Sequence, residues 1–122
     1  MKIYRYQKAS DAYTVYRAHG EGIIELCTLD DGYVYVCGPD VIPQQPAQIT
    51  VEEVVLTDEL REAIKTSSPQ VRLINRRVVE KIRERYSVDD EFCALRTGDT
   101  DYLAYVEECR AWGAAEKAAL GL

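Results

Sequence analysis

The sequence has no long apolar run, and this absence excludes whole classes of protein. No stretch approaches the ~20 consecutive apolar residues that a membrane-spanning helix needs, so we expect no contact with a membrane. The first ten residues, MKIYRYQKAS, lack the apolar segment of a secretory signal. We therefore expect a cytoplasmic protein whose 122 residues form a single domain.

Motifs that carry catalysis or bind metal ions are also missing. No glycine-rich phosphate loop and no GxSxG nucleophile motif occurs. Residues 99–110 begin like a calcium loop, with Asp99 and Asp101, but lack the central glycine and the final glutamate of such a loop. The four cysteines form no CxxC pair, and no histidine lies near any of them in sequence. We therefore expect no enzymatic activity, no metal and no cofactor.

Two weaker alternatives involve cysteine and histidine. Cys27 and Cys37 could face each other across a hairpin and form a disulfide, although free buried thiols are favoured in a reducing compartment. His19, the only histidine, lies in the turn-like segment AHGEG beside Glu21. A cysteine–histidine pair could still form in space, but a solvent-exposed turn histidine is the preferred interpretation.

Tyrosine and β-branched residues dominate residues 1–42, which predicts an antiparallel meander of three or four strands. The strongest local signal is TLDDGYVYV, in which Asp31-Gly32 separates two alternating apolar runs. A two-residue turn would pair Cys27 with Val36, whereas a three-residue turn over residues 30–32 would shift the register by one.

Prolines and helix caps predict the organisation of the remaining chain. Residues 43–56 form a proline-containing connector, and residues 57–122 form three or four helices. The predicted helix starts are Thr57, Ser68-Pro69, Ser87 with Asp90, and Asp99 or Thr100. The fold class is therefore α+β, with the helices packed on one face of the sheet. The alanine-rich end, AAEKAALGL, is expected to fray.

The predicted helix 69–86 is strongly basic, with six basic and two acidic residues. Its expected buried stripe contains Val71, Ile74, Val78, Val79, Ile82 and Tyr86. Arg72, Arg76 and Arg83 flank one side of this stripe, and Arg77, Lys81 and Arg85 flank the other. An alternative function, a small nucleic-acid-binding regulator, would use the first three arginines.

The distribution of charge favours a different role for this helix. Residues 87–108 hold seven acids and one arginine, and the whole chain has a net charge of −6. Consecutive elements usually lie side by side, so we expect the basic helix to be neutralised within the molecule. Nucleic acid is therefore not an expected partner.

The last predicted helix carries an apolar stripe with three aromatic residues. The stripe contains Tyr102, Tyr105, Val106, Cys109, Trp112 and Gly113. It either packs on the preceding helices or forms part of a partner-binding surface. In the second case Tyr105 and Trp112, together with Tyr102, are the candidate anchors, because aromatic residues are enriched at interface hot spots.

Three segments give the chain a resemblance to a known group of proteins. They are MKIYRYQ, VVLTDELREAIKTSSPQVRLINRRVVEKIRERYSVDDE and DYLAYVEECRAWG. In these segments, and over most of its length, the chain resembles small tail or tail-fibre assembly proteins of tailed bacteriophages and prophages. The resemblance implies a non-enzymatic assembly factor whose partner is a tail or tail-fibre component or a second copy of itself.

Overall fold

A computed structural model describes all of residues 1–122 and contains six strands and four helices. The strands are β1 (Lys2–Gln7), β2 (Ala9–Ser10), β3 (Val15–Tyr16), β4 (Ile24–Thr28), β5 (Tyr33–Gly38) and β6 (Glu52–Glu53). The helices are α1 (Asp58–Ser67), α2 (Pro69–Arg85), α3 (Val88–Thr97) and α4 (Thr100–Ala119). An antiparallel sheet thus precedes a helical part, which confirms the predicted α+β class.

The main sheet has four antiparallel strands in the order β4-β5-β1-β6. Strand β1 lies between β5 and β6 and pairs with β5 along its whole length, from Lys2 opposite Gly38 to Gln7 opposite Tyr33. Strands β2 and β3 form a separate small hairpin. The strand order therefore differs from a simple meander, because residues 8–23 leave the sheet before the chain returns in β4.

The β4–β5 hairpin adopts the three-residue turn. The N–H of Leu29 donates to the carbonyl oxygen of Tyr33 at 3.1 Å. Gly32 has a φ of 82°, a left-handed conformation that glycine adopts without steric cost. Cys27 therefore pairs with Tyr35, one residue away from the register of the two-residue turn.

Both faces of the sheet are buried. One face packs against α1, and its cluster comprises Ile3, Leu26, Cys27, Tyr35, Cys37 and Ile64. The other face packs against the proline-containing connector, and its cluster comprises Tyr4, Tyr6, Val34, Val36 and Ile49. The hydroxyl of Tyr4 donates to the carbonyl oxygen of Pro39 at 2.6 Å, which ties the segment just before the connector to the sheet.

The helix starts follow the predicted caps. Side-chain oxygens of Thr57, Ser68, Ser87 and Asp99 accept hydrogen bonds from backbone N–H groups in the first turn of their helices. Ser87 and Asp90 form the reciprocal bonds of a capping box. Each helix is therefore delimited by local sequence signals.

The helices do not all lie on the sheet, contrary to the expectation that they pack on one of its faces. Helix α1 contacts β4, and α2 reaches β4 near its start, where the Nε2 of Gln70 donates to the carbonyl oxygen of Glu25 at 2.7 Å. Beyond that point α2 packs mainly against α4. Gly113 permits this packing, since a Cβ atom there would lie 2.6 Å from the Cγ2 of Val78.

Two other expectations were wrong. Val79, placed in the buried stripe of α2, is exposed. The C-terminal end does not fray: Leu120 and Leu122 pack against the core cluster of the sheet, and the N–H of Leu122 donates to the carbonyl oxygen of Lys117 at 3.1 Å. The apolar leucines gain burial against the sheet, which favours an ordered end.

Candidate functional site

The cations of α2 make several different contacts within the molecule. Arg72 donates to the carbonyl oxygen of Thr66 at 3.3 Å, and Arg83 forms an ion pair with Glu91. On the other edge of the helix, Lys81 lies over the ring of Trp112 at 4.7 Å, and Arg85 lies over the ring of Tyr105 at 4.7 Å.

These contacts bear on the arginines of the nucleic-acid alternative. Of Arg72, Arg76 and Arg83, only Arg76 has neither a hydrogen bond nor an ion pair to another side chain or to the backbone. Nucleic-acid binding requires cations that neutralise phosphates together on one continuous face. Arg72 and Arg83 thus have partners within the molecule, and nucleic-acid binding stays an alternative prediction of the sequence.

The ring of Tyr86, the residue that follows α2, meets two rings of α4 in an aromatic seam, formed by Tyr86, Tyr102 and Tyr105. The ring of Tyr86 meets Tyr102 edge to face with 5.0 Å between centroids, and it lies 5.8 Å from the ring of Tyr105. The hydroxyl of Tyr105 donates to the carbonyl oxygen of Lys81 at 2.7 Å. The aromatic seam therefore packs the C-terminal end of α2 against α4.

The three predicted partner anchors all make contacts in this helical region. Tyr102 is only 3% exposed, whereas Tyr105 and Trp112 are half-buried. Burial and the neighbouring Glu91 carboxylate raise the pKa of Tyr102 above its ordinary value. The structure thus gives these rings an intramolecular role, and their role in partner binding stays a prediction.

Helix α3 presents an apolar stripe to solvent that the sequence analysis missed. Val88, Phe92 and Leu95, the outer stripe of α3, are 66%, 64% and 58% exposed. Their spacing of four and three residues places them on one face of the helix. Leu103 of α4, 49% exposed, lies with Leu95 in a groove of about 380 Å³ between the two helices. The same spacing in the sequence would have identified this stripe.

The inner face of α3 is small by comparison. Ala94 is its only buried residue and packs with Tyr102 and Val106. The ion pair between Arg83 and Glu91 joins the helix to α2. The Arg83 guanidinium also holds the pKa of Glu91 below its ordinary value. Helix α3 therefore exposes larger apolar side chains than it buries.

The cysteines and His19 lie in different surroundings, buried for Cys27 and Cys37 and exposed for His19. All four cysteines are free, and Cys27 and Cys37 are buried. Burial raises the pKa of the Cys27 thiol to about 11 and raises that of Cys37 as well, which disfavours the reactive thiolate. His19 is exposed, and its backbone N–H donates to Gln45. The alternative of a Cys27–Cys37 disulfide is not realised, since Cys37 pairs with Ile24 across the strands.

A further open cavity lies on the sheet side of the molecule. A cavity of about 520 Å³ between the hairpin turn and α1 is lined by Asp30, Asp31 and Glu62 among others, with two hydrophobic residues in eight. No group of three or more His, Cys, Asp or Glu side chains is placed to hold a metal ion.

None of the four helices combines the length and the apolar character required to cross a membrane. Comparison of the chain with protein-family models, with curated proteins and with solved structures finds no match. The outer stripe of α3 with Leu103 is therefore a candidate site supported by geometry and physical chemistry alone.

Proposed function

We propose that the protein is a non-catalytic interaction and assembly factor that binds protein through the outer stripe of α3 and Leu103. The observation that carries the proposal is the exposure of four large apolar side chains on neighbouring elements. Exposed apolar patches with polar surroundings are typical of protein-binding surfaces. Burial of a large aliphatic or aromatic side chain contributes roughly 1.5–3 kcal/mol, which gives such a surface a driving force for association.

The proposed setting is the tail assembly of a bacteriophage or prophage, in the cytoplasm of the host. The resemblance to small tail and tail-fibre assembly proteins supports this setting, and free cysteines are compatible with a reducing compartment. The proposed partner is a tail or tail-fibre component or a second copy of the chain. Nucleic acid and membrane are not proposed partners.

The proposal is tested by one substitution inside the surface and one outside it. Phe92→Glu places a charge in the outer stripe, whereas Val55→Glu places the same charge on an exposed apolar residue of the segment before α1. We expect Phe92→Glu to abolish binding of the purified chain to products of adjacent tail genes and to itself, and Val55→Glu to preserve it. Titration with each purified candidate measures this.

The proposal fails if the wild-type chain binds none of these proteins, itself included. It also fails if both glutamate variants bind with the affinity of the wild type, because the interaction surface would then lie elsewhere.

A further inference from the structure

We propose that the outer stripe of α3 binds the same stripe of a second copy of this chain, with the two α3 helices antiparallel and centred on Phe92. This inference rests on the proposed function and narrows its partner to the chain itself. Two-fold pairing of identical surfaces is the commonest mode of oligomerisation.

The apolar residues of the stripe are arranged for such pairing. Val88 and Leu95 lie four residues before and three residues after Phe92, so the stripe is nearly symmetric about its central ring. In an antiparallel pair Phe92 meets Phe92 of the partner subunit, and Val88 meets Leu95 of the partner subunit. Every large apolar side chain of the stripe thus gains an apolar neighbour.

Charges beside the stripe are arranged with the same symmetry. Asp89 and Arg96 are exposed and lie on the same flank of the stripe, seven residues or about 10.5 Å apart along the helix axis. Neither side chain forms a hydrogen bond or an ion pair within the molecule. A two-fold axis near Phe92 places Asp89 opposite Arg96 of the partner subunit, and Arg96 opposite Asp89 of the partner subunit. Charge complementarity therefore favours a second copy in this orientation.

The other flank does not oppose the pairing. Glu91 lies on that flank and would approach Glu91 of the partner subunit near the two-fold axis. Within each chain, however, Arg83 forms an ion pair with Glu91. The repulsion between the two carboxylates is therefore reduced by two neighbouring guanidinium groups.

The size of the surface indicates a weak dimer. Stable interfaces bury roughly 1,200–2,000 Å² of surface in total. The area that one face of a ten-residue helix and Leu103 can bury is small by that measure. We therefore expect a dimer that forms reversibly as the concentration rises, and not a permanent assembly.

Charge reversal tests the orientation directly. In sedimentation equilibrium of the full chain, we expect the wild type to move from one chain towards two with concentration. Asp89→Arg alone, and Arg96→Asp alone, bring like charges together twice in each dimer, and each should weaken association about tenfold or more. The double variant restores opposite charges and should return the affinity to within about threefold of the wild type.

A matched control separates the flank from a general change in charge. Asp101→Arg makes the same change at an exposed position in the first turn of α4 and should leave association unchanged. Far-UV circular dichroism should remain near that of the wild type in every variant.

Two results would overturn the inference: a wild type that stays monomeric at all concentrations, or an associating wild type whose affinity the double variant does not restore. If the wild type is monomeric but Phe92→Glu still abolishes binding to a tail component, only the self-pairing fails and the proposed function stands. If the wild type also binds no tail component, the proposed function fails with it.

Discussion

The sheet region (residues 1–56) and the helical region (α2 to α4) bury their apolar side chains to different extents. Two clusters cover both faces of the sheet, and Val34, Tyr35, Val36 and Cys37 of β5 are all buried. The cluster between the helices has three buried residues, of which one is an alanine. Four large apolar side chains at its edge remain exposed. The sheet itself is therefore covered on both faces, whereas α3 leaves an apolar stripe of one helical face exposed.

The comparison separates two roles for apolar residues in one chain. In the sheet region they supply the free energy of folding, because burial against α1 and the connector removes them from water. On α3 they add little to folding, because they stay in water in the single chain. The predictions below test this division, from the largest expected effect to the smallest.

Ile64→Ala should have the largest effect on stability. Ile64 is fully buried between α1 and the sheet, so its truncation leaves a cavity and should lower the free energy of unfolding by about 2–5 kcal/mol. Leu95→Ala is the matched change on the exposed stripe and should cost at most about 0.5 kcal/mol. Urea denaturation measures both, and equal losses would contradict the division.

Truncation of the aromatic residues of α4 should have the next largest effect. Tyr105 and Trp112 are half-buried against α2, so Tyr105→Ala with Trp112→Ala should cost about 2–4 kcal/mol, less than the full cost of two buried rings. Tyr13→Ala, at a ring that is almost fully exposed, should leave the melting temperature unchanged. If the double variant keeps its stability and loses its partner instead, Tyr105 and Trp112 are partner anchors.

Gly113→Ala should destabilise the protein, although alanine normally stabilises a helix by about 1 kcal/mol relative to glycine. The new methyl group would lie 2.6 Å from the Cγ2 of Val78, and overpacking of this kind costs about 1–3 kcal/mol. In a Val78→Ala background the substitution should lose its cost. A gain in stability on the wild-type background would mean that α2 and α4 are not closely packed there.

Glu91→Gln should have the smallest effect, and one that depends on pH. Because Arg83 lowers the pKa of Glu91 in the folded chain, this carboxylate stabilises the fold above its unfolded pKa of about 4.3. The contribution disappears as the pH falls through the lowered folded pKa. The small difference in unfolding free energy between wild type and variant should therefore exist at pH 7 and shrink as the pH falls below the unfolded pKa of about 4.3. A difference that grows towards low pH would contradict this sign.

Local signals made much of the fold predictable from sequence. The caps at Thr57, Ser68, Ser87 and Asp99 determine helix starts through hydrogen bonds within one turn, so their chemistry is visible in a few adjacent residues. Asp31-Gly32 locates the hairpin, but the neighbouring residues are compatible with both turn lengths. The structure shows a shift in strand register between Glu25 and Cys27, and no residue of β4 is of a type that predicts it.

Long-range packing could not be predicted in the same way. The connector covers the second face of the sheet, and Leu120 and Leu122 pack on the first face. Both contacts join segments that are far apart in sequence, so local residue patterns do not predict them. The sequence predicts the apolar stripe of α4 but not its role. Packing on another helix and binding to a partner require the same stripe and differ only in which surface contacts it. The spacing of the outer stripe of α3 is visible in the sequence, but its exposure depends on which elements pack against the helix.

The central claim is that the outer stripe of α3 serves binding and not folding. The most direct test is the unfolding free energy of the triple variant Val88→Ser, Phe92→Ser, Leu95→Ser, measured by urea denaturation at a concentration where the wild type is monomeric. We expect the triple variant to lie within about 1.5 kcal/mol of the wild type, from at most about 0.5 kcal/mol at each exposed position, and to have lost association at higher concentration. A loss of several kcal/mol in the monomer, comparable with Ile64→Ala, would show that the stripe belongs to the core and would contradict the account.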